Sequence, residues 1–198
     1  MKIGIIGTGR MGTALGRRWA LAGHEVCFGS RDPEKAAAVA RTIADTVRGG
    51  TYAEAVAFGD VLLLSVPWKA TQEVVQSLGP LNGKVLLECT NNVGGDDRDA
   101  GTTELVAQWA RGAKVVKAFN TIFYQIIEAE HEPLTVFIVG DDDAKATVSP
   151  LVRDAGFEPV DAGPIDNAHH LDALARFIIH LGYQRGMGQR IAYQLVQV

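Results

Sequence analysis

Lys2-Ile3-Gly4-Ile5-Ile6-Gly7-Thr8-Gly9-Arg10-Met11-Gly12 opens the chain, and its reading decides the fold. The apolar run over residues 2–7 reads as a strand buried on both faces. A Gly-x-Gly-x-x-Gly turn follows at once and leads into residues 11–22, where Met11, Leu15 and Trp19 recur near helical spacing. A strand before the turn and a helix after it are the contexts that give this glycine pattern meaning. Gly7 permits the tight turn, Gly9 lets the backbone approach a pyrophosphate, and Gly12 lets helix and strand pack closely. The free amides at the helix start then face the phosphates.

Outward from this unit the same rhythm recurs. Strand-like runs at residues 25–29, 60–66, 85–89, 114–119, 134–139 and 158–161 alternate with segments of helical period at 33–45, 52–58, 69–78, 102–110, 121–130 and 141–155. Pro33 suits a first helical turn. The run Asp141-Asp142-Asp143 reads as a helix start at the positive end of the dipole, not as a metal cage. Residues 47–50 read as a linker, and residues 90–101 as a polar loop whose Asp96, Asp97 and Asp99 lack calcium-loop spacing. Beyond Gly163-Pro164, residues 167 to about 196 read as a helical tail interrupted at 182–188. This pattern predicts an α/β fold of the Rossmann type, a doubly wound, mostly parallel sheet with a C-terminal helical tail. The expected organisation is a dinucleotide-binding domain over residues 1–163 and a helical segment over 164–198 that packs on it and on a partner subunit.

The totals agree with one globular domain: 198 residues, 47% apolar, 21% charged, net charge −4. Without a long basic run, a nucleic-acid partner is not expected. The apolar stretches are too short to span a membrane. Met1-Lys2 leads straight into a strand and leaves no room for a signal peptide, so a cytoplasmic location is expected. Cys27 and Cys89 both fall in strand-like segments and read as buried free thiols rather than a disulfide.

The second strand ends Phe28-Gly29-Ser30-Arg31, without the acidic residue that grips the ribose hydroxyls of NAD. Ser30 can donate to a 2′-phosphate, Arg31 can pair with it or stack on adenine, and Lys35 adds a second positive charge. The neighbouring Asp32 is a competing partner for Arg31. The balance points to NADP.

In doubly wound sheets ligands sit beyond the carboxyl ends of the strands. Three later strands end in Ser65-Val66-Pro67-Trp68, Cys89-Thr90-Asn91-Asn92 and Ala118-Phe119-Asn120-Thr121. Each mixes small polar with apolar or aromatic groups, which suits a nicotinamide and its ribose. No nucleophile stands with a base, and no Cys-x-x-Cys or His-Glu-x-x-His occurs, so neither a catalytic side chain nor a metal ligand set is assigned. His169 and His170 are adjacent, are expected to point in different directions, and read with His180 as surface or interface residues. Hydride transfer between two bound rings needs proximity and orientation more than a side-chain acid. In the tail, Leu171, Leu174, Ala175, Ile178 and Leu181 form an apolar stripe that Phe177 and Ile179 widen, so a symmetric dimer contact is expected there.

The ordered set Gly7-Thr8-Gly9-Arg10-Met11-Gly12, Gly29-Ser30-Arg31, Ser65-Val66-Pro67-Trp68, Lys117-Ala118-Phe119-Asn120-Thr121, Gly140-Asp141-Asp142, Asp161-Ala162-Gly163-Pro164 and Gly186-Met187-Gly188 resembles the NADPH:coenzyme F-420 oxidoreductase family. Its second cofactor is an 8-hydroxy-5-deazaflavin. The cytosolic domain of the six-transmembrane metalloreductases is a relative. The resemblance implies that Thr8, Arg10, Met11, Ser30, Arg31 and Lys35 hold the phosphates and adenosine end of NADP. It places Val66, Pro67, Trp68, Asn91 and Ala118 around the nicotinamide; Ser65 and Thr90, read from the same strand ends, are expected in the cofactor site as well. It assigns Asn120, Thr121, Ile122, Met187 and Gly188 to the deazaflavin cleft, and it implies a homodimer. Two departures stand out: the short acidic loop over 91–101, and Asn120 where the archaeal reductases carry a histidine. They leave deazaflavin, a flavin such as FMN or FAD, a quinone or another small hydride acceptor or donor open. The functional expectation is an oxidoreductase passing hydride between NADPH and such a second cofactor. The alternatives are a non-catalytic NADPH-binding redox sensor or regulatory module and, last, an imine or hydroxy-acid reductase, which would need a large helical substrate domain.

Overall fold

The computed structural model describes residues 1–92 and 101–198. Asp96, Asp97 and Asp99 lie outside the described residues. Eight strands form one sheet: β1 (Lys2–Ile6), β2 (Glu25–Ser30), β3 (Arg48–Thr51), β4 (Val61–Leu64), β5 (Val85–Glu88), β6 (Lys114–Lys117), β7 (Leu134–Gly140) and β8 (Phe157–Asp161). The helices are α1 (Arg10–Leu21), α2 (Pro33–Arg41), α3 (Tyr52–Phe58), α4 (Trp68–Ser77), α5 (Thr102–Trp109), α6 (Tyr124–Ile127), α7 (Asp142–Asp154) and α8 (Ala168–Ile179). The strand order is β3-β2-β1-β4-β5-β6-β7-β8, and every neighbouring pair is parallel except β6 with β7. The fold is therefore the α/β, doubly wound, mostly parallel arrangement that the sequence predicts.

The chain winds outward from β1 through β2 to β3, then returns to lay β4 on the other side of β1. That reversal opens a crevice above β1 and β4. Alternate residues of the central strands enter opposite cores. Ile5, Phe28, Leu63, Leu87 and Val116 pack on one face with Trp19 of α1, while Leu62, Leu64 and Leu86 pack on the other with Val75 and Val106. Trp19 is fully buried and its indole Nε1 donates to Leu151 O at 2.8 Å, which ties α1 to α7.

Several local expectations change. Residues 47–50 are not a linker: Arg48–Thr51 is edge strand β3. A Cβ at Gly49 would stand 2.3 Å from the backbone of Ala36, so α2 can lie against this strand only because glycine is there. The same lack of side chains removed the strand's pattern from the sequence. The expected helix over 121–130 shrinks to Tyr124–Ile127. The helix opened by Pro33 ends at Arg41, short of 45. The tail is α8 and one π-helical turn over His180–Gln184, with no helix beyond. Gly186 and Gly188 take φ of 71° and 78°, which turns the chain back. The last residues are then held by Tyr193 Oη donating to Leu174 O and by Thr135, whose N donates to Gln194 Oε1 and whose Oγ1 accepts from Leu195 N. His169 and His170 are exposed, yet their rings do not diverge: the centroids stand 3.8 Å apart. A bond between His169 Nδ1 and Asp166 O at 2.7 Å draws that ring across the helix start.

Candidate functional site

Three adjoining cavities run along the carboxyl edge of the sheet. The first, about 270 Å³, lies over the ends of β1 and β2 and is lined by Gly7, Thr8, Gly9, Ser30, Arg31 and Lys35, with Tyr52, Ser65, Val66, Pro67, Ala70 and Val74. The second, about 250 Å³, shares Gly9, Ser65, Val66 and Pro67 with it and adds Arg10, Met11, Trp68, Cys89, Thr90 and Asn91. The third and largest, about 570 Å³, shares Met11 and Asn91 with the second and is walled by Asn120, Thr121, Ile122, Phe123 and Tyr124 and by Ile178, Ile179, Tyr183 and Gln184 of the tail.

The glycine turn is built as its spacing requires. Gly7 takes φ 120°, and a Cβ there would meet Ser65 O at 2.4 Å. A Cβ at Gly12 would stand 3.0 Å from Ser65 Oγ, so Gly12 serves the packing of α1 on the sheet. Gly9 is different. Its nearest neighbour to a Cβ is Ser65 O at 3.8 Å, and as the N-cap of α1 it supplies no side-chain cap. The open side and the uncapped helix amides leave room and donors for an anion.

Around the first cavity the charges are Arg31 and Lys35, and no carboxylate lines it among the described residues. Asp32 does not compete for Arg31: its Oδ1 caps α2 by accepting from Lys35 N at 3.2 Å. Ser30 Oγ accepts from Asp32 N at 3.2 Å, which leaves its proton free to donate. Tyr52, at the start of α3, has its phenol pushed up by burial, with Arg31 pulling the other way, so the guanidinium lies within electrostatic reach of this ring.

In the second cavity Trp68 is braced by Trp109 at 5.7 Å between ring centroids. Cys89 is an inert wall: burial pushes its thiol up to about 12, and Sγ sits 3.4 Å from Leu64 O. Cys27 is likewise a buried free thiol. Ala118 is fully buried and lines none of these three cavities.

The third cavity depends on a strained turn. Phe119 takes φ 62° and is fully buried, with its ring against Trp19 and Phe157. A bulky residue held there costs about 1–3 kcal/mol. The turn sets Asn120 on the cavity wall. Its Nδ2 donates to Leu171 O at 3.0 Å and to Asn91 Oδ1 at 3.3 Å, while Asn91 Nδ2 donates to Asn120 O at 2.7 Å. Asn120 Oδ1 is buried and has no protein partner. Met187 and Gly188, expected in this cleft, lie outside its lining; both are exposed, in the turn where Met187 N donates to Leu181 O.

The chain is 31% identical to the F420-dependent NADP reductase of Methanothermobacter thermautotrophicus, across 96% of its own length and 94% of that protein. The family described as NADP oxidoreductase, coenzyme F420-dependent, matches residues 2–92. The chain belongs to this family. It is an NADP-dependent oxidoreductase. It is also 29% identical to the rat metalloreductase STEAP3 over 87% of its length, which takes in 36% of that larger protein. A solved protein of Arthrobacter sp. FB24, provisionally described as an F420-dependent NADP-reductase, superposes with a TM-score of 0.88 over the whole of both chains at 24% identity, which speaks for the fold.

Against the family's outline, reading the sequence overlooked Tyr52, Tyr124, Ile178, Ile179, Tyr183 and Gln184 as cavity walls. It also overlooked a buried ionic hub. Glu88 and Lys117 face each other across β5 and β6 and are fully buried. Lys117 Nζ lies 2.7 Å from Glu88 Oε1, 2.9 Å from Asp172 Oδ1 of α8, and donates to Thr102 Oγ1 and Thr90 O. The available signal was an acid and a base each ending an apolar strand, Val85-Leu86-Leu87-Glu88 and Lys114-Val115-Val116-Lys117. Burial opposes the Lys117 charge, but Glu88 and Asp172 outweigh it and hold the ammonium above its ordinary value.

Proposed function

We propose that this trough holds NADPH across the first two cavities and a deazaflavin or flavin ring in the third, and passes hydride between them. The observation that carries the reading is the cationic, hydroxyl-bearing, carboxylate-free first cavity formed by Ser30, Arg31 and Lys35 beside the uncapped start of α1. Arg31 and Lys35 would pair with a 2′-phosphate, and Ser30 would donate to it. Thr8, Gly9, Arg10 and Met11 would present amides and charge to the pyrophosphate, with Gly7 and Gly12 shaping the turn. Val66, Pro67, Trp68, Thr90 and Asn91 would enclose the nicotinamide, with Ser65 behind it and Ala118 beneath. NADPH held there would supply a hydride, two electrons with one proton, and leave as NADP⁺; the reduced acceptor would take up its one further proton from solvent when the site opens. The chain's part is to align the two rings and exclude water.

Met11 and Asn91 line both the second and the third cavity, which supports two ring sites side by side. The apolar walls of the third cavity suit a tricyclic ring, and Asn120 Oδ1, buried in that wall without a protein partner, would accept from an imide N–H once the side chain turned toward the ring. Thr121 and Ile122 form its floor. The exposed Phe177, Tyr183 and Met187 on the tail are the surface for a second copy of the chain, which would bring Met187 and Gly188 near a cleft.

Stopped-flow mixing of the protein with NADPH and either the 8-hydroxy-5-deazaflavin or FMN tests the reading. Oxidation of NADPH at 340 nm, matched mole for mole by bleaching of the acceptor, is the expected outcome. Tight NADPH binding with no oxidation by either ring would overturn it.

A further inference from the structure

The ionic hub lies directly behind the proposed nicotinamide subsite. Thr90 lines that cavity and is itself fastened to the hub: Glu88 Oε2 accepts from Thr90 N at 2.8 Å and from Thr90 Oγ1 at 2.6 Å. The other Glu88 oxygen takes Lys117 Nζ and Thr103 Oγ1, both at 2.7 Å. Asp172 accepts from Thr102 N at 3.1 Å and from Thr102 Oγ1 at 3.0 Å besides meeting Lys117. Each carboxylate oxygen has a donor, and Glu88, Lys117 and Asp172 are 0%, 0% and 7% exposed. Two carboxylates enclose one ammonium, so the formal charge is −1, shielded from water.

The Thr90 hydroxyl spends its proton on Glu88, so it has none to donate to the cavity that Thr90 lines. The carboxylate on the subsite side is Glu88 itself. Among the described residues Arg10 is the one cation lining this cavity, and its Nη1 is directed to Tyr124 Oη at 3.1 Å. Behind Thr90 the Glu88 carboxylate holds its amide and hydroxyl and the Lys117 ammonium holds its carbonyl at 3.1 Å, so the subsite is backed by a hub whose net formal charge, with Asp172 counted, is −1.

A reduced nicotinamide is neutral, and the ring left after hydride loss is a cation. We infer that the Glu88–Lys117–Asp172 hub acts through Thr90 to favour the cationic ring, making this site a better hydride donor than free NADPH is. The inference rests on the placement of NADP proposed above. In a poorly screened site a unit charge at such a remove changes the relative affinity of the two redox forms by about tenfold. A merely structural hub would weaken both forms alike.

The test compares dissociation constants for NADP⁺ and NADPH in wild type, E88Q and D172N, each substitution keeping the side chain's shape and removing one negative charge. Binding of 2′-phospho-ADP-ribose, which lacks the nicotinamide, reports whether the rest of the site is intact. The expected result is unchanged binding of this fragment and a Kd ratio, NADP⁺ over NADPH, that rises about tenfold in either variant, equivalent to about 30 mV upward in the potential of the bound two-electron couple. An unchanged ratio in a variant that still binds the fragment normally overturns the inference. If neither variant binds the fragment, wild type decides: NADP⁺ held at least as tightly as NADPH supports the hub's bias, and any preference for NADPH overturns it. Failure of wild type to bind the fragment would instead sink the nucleotide reading on which the inference rests.

Discussion

Replacing Lys117 by methionine removes the positive centre of the hub while nearly keeping its volume. Nζ stands 2.7 Å from Glu88, 2.8 Å from Thr102 Oγ1, 2.9 Å from Asp172 and 3.1 Å from Thr90 O, and all of these are buried. The threonine donors remain, but two carboxylates are left facing each other out of water. Losing one member of a buried ion pair costs about 3–5 kcal/mol. For a chain of 198 residues this lowers Tm by about 6–20 °C, at about 2–4 °C for each kcal/mol. Thermal unfolding followed by circular dichroism reads the change directly. The pH dependence adds a second check. Glu88 and Asp172 outweigh burial and hold the Lys117 ammonium above its ordinary 10.5, so its contribution is complete below that pH and is lost as pH rises through the folded-state value. The deficit of K117M should therefore be constant at neutral and mildly alkaline pH and close only above 10.5. A Tm drop under about 3 °C at neutral pH would refute the view that the hub holds β5, β6, α5 and α8 together.

Asn120→Leu removes a buried acceptor without a protein partner together with the Nδ2 bonds to Leu171 and Asn91, so KM for a deazaflavin or flavin should rise about tenfold and Kd for NADPH, through the loosened Asn91, by clearly less; equal losses in both would show general damage instead. Cys89, pushed up to about 12, is thiolate in about one molecule in ten thousand at pH 8, so iodoacetamide should leave native protein unlabelled until it unfolds. Sedimentation velocity at micromolar concentration should show a dimer that Phe177→Asp or Met187→Asp dissociates, and a wild-type monomer would rule out the tail contact.

Much of this was legible because buried parallel strands are nearly continuous apolar runs. Ile3, Ile5, Leu62, Leu63 and Leu64 declare their strands, and the glycine turn declares which crevice matters. The Ser30-Arg31 end of β2 was readable as a cavity wall for the same reason: the carboxyl end of the second strand has a fixed place in the unit. What escaped reading had a physical cause in each case. Gly49 and Gly50 carry no side chain to show a strand's alternation, yet α2 needs Gly49 bare. The end of the tail is set by distant bonds from Thr135 and Leu174, which no local periodicity reveals. Asp172 sits in an apolar stripe on α8, and only the fold brings it to Lys117, 55 positions earlier. The walls contributed by Ile178, Tyr183 and Gln184 likewise exist only once α8 lies over the sheet edge.

The central claim is that the pocket at the end of β2 is made for a phosphorylated ribose. Titration calorimetry of wild type and Arg31→Ala with NADPH and with NADH tests it most directly. Charge-assisted contacts of about 1.5–3 kcal/mol predict that wild type prefers NADPH by about tenfold to a hundredfold and that R31A loses most of this preference with little change for NADH. Equal affinity of wild type for the two nucleotides, or equal losses for both in R31A, would contradict it.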